Sequence, residues 1–166
     1  MNVMRIFFGG PLTDLKTPDE TKALYRKMAD VAHLNGVDCF WAFLNGTDPV
    51  KNPNVPSGTV YETDLMELDR SDVMITYIGE PTTGTGQEME YARVHGIPVY
   101  LLYEKGKKIT RMLLGSPIVK GEMTFESDED ALSQLDTLIK GLKVRYEERG
   151  TLREPPHEFP FEKDNS

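Results

Sequence analysis

Apolar residues along this chain gather in four nearly continuous runs, Met4 to Phe8, Val37 to Phe43, Val73 to Ile78 and Val99 to Tyr103. A fifth, Ile118 to Phe125, is interrupted near Gly121. Near-continuous runs of this length, without in-and-out alternation, mark strands covered on both faces. Between the runs the spacing becomes helical. Thr17-Pro18-Asp19-Glu20 supplies an N-cap, a proline at the first helical position and a capping-box glutamate, and Asn35-Gly36 a stop. Those signals predict a helix of about 18 residues. A second helix is expected from Thr59, with T-x-x-E spacing to Glu62, to about Arg70. Ile109 to Leu114 reads as one or two turns ended by Gly115-Ser116-Pro117. Ser127 caps a final helix whose stripe is Leu132, Leu135, Leu138, Ile139 and Leu142.

Strands alternating with helices predict an α/β fold, a three-layer sandwich of flavodoxin- or Rossmann-like type. The expectation is a five-stranded, mainly parallel sheet of order 2-1-3-4-5, set by right-handed crossovers. Residues 1–149 read as a single domain and 150–166 as a polar tail without a core of its own, able to dock on a neighbouring subunit. The stretch Asn45 to Gly58, rich in proline, asparagine and glycine, reads as a long loop and a candidate lid.

The centre of the pattern is Pro81-Thr82-Thr83-Gly84-Thr85-Gly86-Gln87-Glu88, between the third run and a helix leading to Gly96-Ile97-Pro98. A strand, glycine loop and helix place the loop at the carboxyl end of the sheet, where open α/β sheets bind ligands. Glu88 is expected in the first helical turn, where a carboxylate is favoured by the dipole and is a candidate nucleophile. Thr85-x-x-Glu88 also fits a capping box, so a purely structural role stands beside the chemical one. Asp64 shares the inward stripe of Tyr61, Leu65 and Leu68, and a carboxylate there must be hydrogen-bonded, paired or facing a cleft. Capping a neighbouring loop is its structural alternative. For Phe7, Phe8, Trp41 and Tyr61 core packing stands beside stacking on a ligand.

Composition narrows the partners. The 166 residues carry a formal charge of −8 and a pI near 4.9, unlike a protein that binds nucleic-acid polymers. Cys39 stands alone, and His33, His95 and His157 show no metal-ligand spacing, so neither a disulfide framework nor a metal is expected. No apolar run approaches membrane-spanning length, and Met1 to Arg5 lacks a signal pattern, so a cytoplasmic location is expected.

Three blocks resemble a known family. They are Phe7-Phe8-Gly9-Gly10-Pro11-Leu12, the Asp64-Leu65 helix followed by Ser71-Asp72-Val73, and Pro81-Thr82 through Gly84-Thr85-Gly86-Gln87-Glu88 with Tyr91-Ala92 and Pro98-Val99. In order and spacing they resemble the nucleoside 2-deoxyribosyltransferases and the related nucleotide N-glycoside hydrolases. The resemblance implies that Glu88 attacks the anomeric carbon and that Asp64 positions the sugar or assists departure of the base. It places Thr82 where the family's hydrolases meet the phosphate, and Thr110 at a position that reaches a neighbouring subunit's phosphate site. The further substrate-binding candidates are Phe7, Gly9, Gly10 and Pro11 of the first loop, Gly84 and Gly86, whose missing Cβ lets a substrate lie against the backbone, and Tyr91, at i+3 from Glu88. The resemblance implies no cofactor, a small nucleoside or nucleotide with a free nucleobase as partners, and a homo-oligomer. The lead expectation is 2′-deoxyribosyl transfer between bases. The alternatives are a 5′-monophosphate N-glycosidase and a non-catalytic sensor. The family's hydrolases carry an arginine just after the first glycine loop, where this chain reads Leu12-Thr13-Asp14-Leu15.

Overall fold

The computed structural model describes residues 2–160 and contains five strands and five helices. In order they are β1 (Arg5–Gly9), α1 (Pro18–Leu34), β2 (Asp38–Trp41), α2 (Ser57–Asp69), β3 (Val73–Tyr77), α3 (Thr83–His95), β4 (Val99–Glu104), α4 (Arg111–Leu114), β5 (Val119–Phe125) and α5 (Asp128–Arg149). All ladders are parallel and the sheet order is β2-β1-β3-β4-β5, the order expected from the sequence. The interruption near Gly121 is a bulge: Val99 pairs Val119, but Tyr100 pairs Gly121.

Each strand feeds two cores because its side chains alternate across the sheet. Ile6, Phe8, Ile75 and Leu102 pack with α1 and α5, whereas Phe7, Met74, Val99 and Leu101 pack with α2 and α3. Both faces are covered, which is why the strands read as near-continuous apolar runs. Tyr25 of α1 stacks on Trp41 at 4.1 Å, and its hydroxyl donates to the Pro11 carbonyl at 2.9 Å, pinning the loop after β1. A Cβ on Gly10 would sit 2.5 Å from that hydroxyl. Tyr25 is fully buried and has no room to yield, so Gly10→Ala is expected to cost about 1–3 kcal/mol of stability. A thermal melt equal to that of the parent would contradict it.

Several boundaries differ from the sequence expectation for identifiable reasons. The second strand stops at Trp41 rather than Phe43, because Asn45 turns the chain. Its Oδ1 accepts the Trp41 amide at 3.0 Å, and the amides of Leu44 and Asn45 both donate to the Trp41 carbonyl. Helix α2 opens at Ser57 behind Pro56, so Thr59 and Glu62 lie inside it and form no capping box. Helix α3 opens at Thr83 with Thr82 as N-cap. Glu88 therefore belongs to the second turn, and Thr85 is not an N-cap. Of the inward stripe on α2, Leu68 is buried but Tyr61 is 58% exposed.

The segment after α5 lies against its own chain. The Glu154 amide donates to the Gly96 carbonyl at 2.8 Å, and Glu154 pairs with Lys120. Residues 161–166 of the expected tail, like Met1, lie outside the described residues. Among the described residues no helix is long and apolar enough to cross a membrane.

Candidate active site

Strands β1 and β3 are neighbours, while the chain leaves β1 toward β2 on one side and β3 toward β4 on the other. The loops beyond their carboxyl ends therefore diverge and open a crevice. A cavity of about 360 Å³ occupies it, within the range of small-ligand sites. Gly9, Gly10 and Leu12 form one wall, and Thr82, Gly84, Thr85 and Glu88 of the α3 entry form another. The third wall is Asp64 and Val60 of α2 with the 47–57 loop, which contributes Thr47, Pro49, Asn52 and Val55. Phe7, Phe8 and Trp41 form the floor while belonging to the core, each about 1% exposed.

Two carboxyl groups enter this space from different helices. Burial pushes the Glu88 carboxyl up to about 8, with the Asp64 charge adding to the effect. Burial likewise raises Asp64 to about 6, opposed by a hydrogen bond that its Oδ1 accepts from Thr47 Oγ1 at 3.1 Å. The two groups thus titrate as a pair with different environments, an arrangement that separates acid and base roles at neutral pH. Among the described residues no lysine, arginine or histidine lines the cavity. Among the described residues no cluster of three or more His, Cys, Asp or Glu side chains is arranged to hold a metal.

The structure brings together Glu88, Asp64, Phe7, Gly9, Gly10, Thr82 and Gly84 of the residues singled out in the sequence. Pro11 lies behind them, its carbonyl held by Tyr25. Gly86 and Thr110 line a neighbouring hollow of about 410 Å³ on the far side of Thr82, where Thr110 caps α4 by accepting the Met112 amide. Tyr91, a candidate neighbour of Glu88 by helical spacing, instead lines a shallow hollow on the outer face of α2 and α3. Its ring stacks on His95 at 3.9 Å, and its phenol is raised by burial and by the Asp69 carboxylate. Asp14 is exposed and does not line the cavity, although its neighbour Thr13 does.

Two participants were not singled out in the sequence. Thr47 orients Asp64, and nothing in Asn45-Gly46-Thr47-Asp48 marks it beyond its place in a loop. The other is the Lys22–Asp48 pair, with Nζ–O distances of 3.1 and 2.9 Å, which fastens the 47–57 loop to α1. Lys22 lies at i+3 and i+7 before Tyr25 and Ala29 on the buried face of α1, and a lysine there signals a buried anion.

A comparison with protein-family models returns no match. Among curated proteins, the chain is 34% identical over 76 residues to "Putative 2′-deoxynucleoside 5′-phosphate N-hydrolase 1" of Methanosarcina mazei, covering 46% of this chain and 47% of that protein. The chain spans about half the length of the curated relatives it matches. Among solved structures, the Clostridium botulinum CMP N-glycosidase BcmB superposes with a TM-score of 0.63 at 15% identity, covering 81% of this chain and 98% of that one. The 2-deoxyribosyltransferase of Bacillus psychrosaccharolyticus gives a TM-score of 0.55 at 21% identity, covering 79% and 95%. At such identities the structural likeness is one of fold. The sequence likeness is thus to proteins named as nucleotide N-hydrolases, and the fold is one shared with a CMP N-glycosidase and a 2-deoxyribosyltransferase, the groups whose motifs this sequence resembles.

Proposed function

We propose that this chain cleaves the N-glycosidic bond of a 2′-deoxynucleoside through a covalent glycosyl-Glu88 intermediate and transfers the deoxyribose to a second base. The observation that carries the reading is the pair of raised carboxyl groups, Glu88 and Asp64, entering one cavity from two helices. Glu88 attacks C1′ as the bond to the base breaks, and the carboxylate stabilises the oxocarbenium-like state. The electron pair of the broken bond leaves with the base, which takes a proton from the carboxyl pair through Asp64. A second base then attacks C1′ of the glycosyl ester, releases Glu88 as carboxylate and returns its proton to Asp64. Before charge develops on the sugar, the stronger desolvation of Glu88 favours the shared proton there. The positive charge developing on the sugar favours the Glu88 carboxylate and moves the proton to Asp64.

A second reading, hydrolysis of a (deoxy)nucleoside 5′-monophosphate with water as acceptor, is favoured by the name of the curated relatives. The first turn of α3 also lines the cavity, and its unpaired amides suit an anion. Against it stands the absence of any cationic side chain from the lining among the described residues. Chromatography of the protein with deoxyadenosine and a different free base, beside deoxynucleoside 5′-monophosphates alone, separates the readings. A new deoxynucleoside supports transfer. Base released only from monophosphates establishes the second reading, and binding without turnover leaves a sensor.

The carboxyl pair also fixes a pH profile. Between about pH 6 and about 8 it retains one proton, the state the reaction requires. kcat/KM of the free enzyme is therefore expected to be bell-shaped with limbs near those values. Asp64→Asn removes the like charge and is expected to move the ionisation of Glu88 downward. A flat profile from about pH 5 to 9 would overturn the pair's role.

A further inference from the structure

The segment that follows α5 has one side chain placed between the two helices that carry the carboxyl pair. Arg153 donates through one guanidinium nitrogen to the carbonyl of Asp69, the last residue of α2. Its other terminal nitrogen donates at 3.4 Å to the carbonyl of His95, the last residue of α3, and lies 3.7 Å from the Asp69 carboxylate. Both carbonyls belong to final helical turns, where the backbone has no further amide to accept from and the dipole end is negative. One planar cation thus closes the carboxyl ends of both helices. The backbone around it is seated as well: the Arg153 amide donates to Thr151 Oγ1, and the Glu154 amide to the Gly96 carbonyl. Gly96 adopts a φ of +70, and a Cβ there would run into the Glu154 carbonyl, so the close approach requires glycine.

We infer that Arg153 is a positioning residue, a bracket between the ends of α2 and α3 that holds Asp64 and Glu88 at their working separation across the cavity. The inference rests on the reading of that pair as the reacting groups. Asp64 is one and a half turns before the bracketed end of α2, and Glu88 two turns before that of α3, so a splay at the ends is transmitted along rigid rods. Between the cavity and the bracketed ends, Leu65 and Leu68 of α2 share one apolar cluster with Met89 and Ala92 of α3, and the bracket ties the two ends just beyond that packing. Tyr91, facing Asp69 from α3, also spans the two ends. The charged groups around Arg153 are Asp69 on α2 and Asp72 before β3, whose carboxyl is raised by burial and partly offset by the backbone amide of Arg5 and by this arginine.

The test compares Arg153→Ala, Arg153→Lys and Glu88→Gln in the full chain. Arg153→Ala is expected to lower kcat about 10-fold with KM nearly unchanged, since the substrate's distal contacts remain while reacting groups are misplaced. Its melting temperature is expected to fall by only a few degrees, because an ion pair whose arginine side chain is 36% exposed contributes little to stability. Arg153→Lys retains the charge at the helix ends but reaches one carbonyl at a time, and is expected to recover part of kcat. A readout without turnover is carboxyl-carbon NMR of Asp64 and Glu88. Their titrations are expected to draw together by about one pH unit in Arg153→Ala as their coupling weakens. Wild-type kcat together with unchanged carboxyl titrations in a folded Arg153→Ala overturns the inference. If Glu88→Gln retains activity, the assignment of the reacting pair fails instead, and the NMR titration still decides whether Arg153 sets the spacing of the two carboxyl groups.

Discussion

Glu88→Gln is expected to abolish turnover, by about 10³-fold or more, and at the same time to stabilise the folded protein at alkaline pH. The first effect follows from the proposed role, since it replaces the carboxylate proposed to bond to C1′ with an amide of the same shape that does not. The second follows from the environment of the group. Glu88 is partly buried on α3, and burial with the Asp64 charge raises its carboxyl to about 8 from the ordinary 4.5. In the unfolded chain the proton leaves near the ordinary value. As pH rises from about 4.5 to about 8, the unfolded state therefore holds fewer protons than the folded one, and stability falls across that window. Glutamine has no proton to lose and escapes the penalty. The expected gain is about 1–3 kcal/mol above pH 8, kept below the full linkage value by solvent reaching the open cavity, and vanishes near pH 4. Urea unfolding at about pH 4.5 and about pH 8.5, beside a chromatographic rate, measures both consequences. A variant inactive but no more stable at high pH would mean that Glu88 is not desolvated. An active variant would remove it from the chemistry.

The opposition between those effects explains why the fold was more legible in the sequence than the site. Strand runs, the Asn35-Gly36 stop, the Ser127 cap and the helical stripe of Leu132, Leu135, Leu138, Ile139 and Leu142 all express one physical requirement, burial with satisfied backbone; of the stripe Leu135, Ile139 and Leu142 are buried, and Leu132 and Leu138 partly so. Glu88 and Asp64 violate the requirement, and a violation is visible in sequence only when its surroundings are periodic. Asp64 was legible because it interrupts an apolar stripe. Glu88 was ambiguous because Thr85 sits at capping distance, and only the helix start at Thr83 removes that role. The position of Tyr91 was not legible at all. Helical spacing places it three residues after Glu88, but whether two such residues meet depends on what the next helix presents, here Asp69 and the open side of α2. Arg153 was hidden for the related reason that two of its partners are the backbone carbonyls of Asp69 and His95, which have no sequence signature.

The largest loss of stability is expected from Asp48→Ala, a residue with no contact to the substrate cavity. Asp48 is 0% exposed, and its carboxylate receives Lys22 Nζ at 3.1 and 2.9 Å and the Val50 amide at 2.8 Å. Desolvation acts to raise this carboxyl, but the hydrogen bonds from Lys22 and Val50 outweigh it and hold it below the ordinary range. Removing the carboxylate leaves the Lys22 ammonium, its side chain 11% exposed, without its counter-ion on the apolar face of α1. Stranding one member of a buried pair costs about 3–5 kcal/mol, whereas replacing both by apolar residues of similar volume is far milder. The double variant Lys22→Met with Asp48→Leu is accordingly expected to recover most of the stability. It is not expected to recover activity in full, because the amides that the Asp48 carboxylate gathers also shape the turn that presents Thr47 to Asp64. The sign of the pH effect is opposite to that at Glu88. A carboxyl held low contributes stability above its unfolded value of 3.8 and loses it as pH falls through its folded value, so the difference between wild type and Asp48→Ala closes only in acid. Denaturant unfolding of the single and double variants near pH 7 and near pH 3 tests the account. Equal stabilities of the single variant and the parent at neutral pH would show that the loop is held to α1 by packing alone.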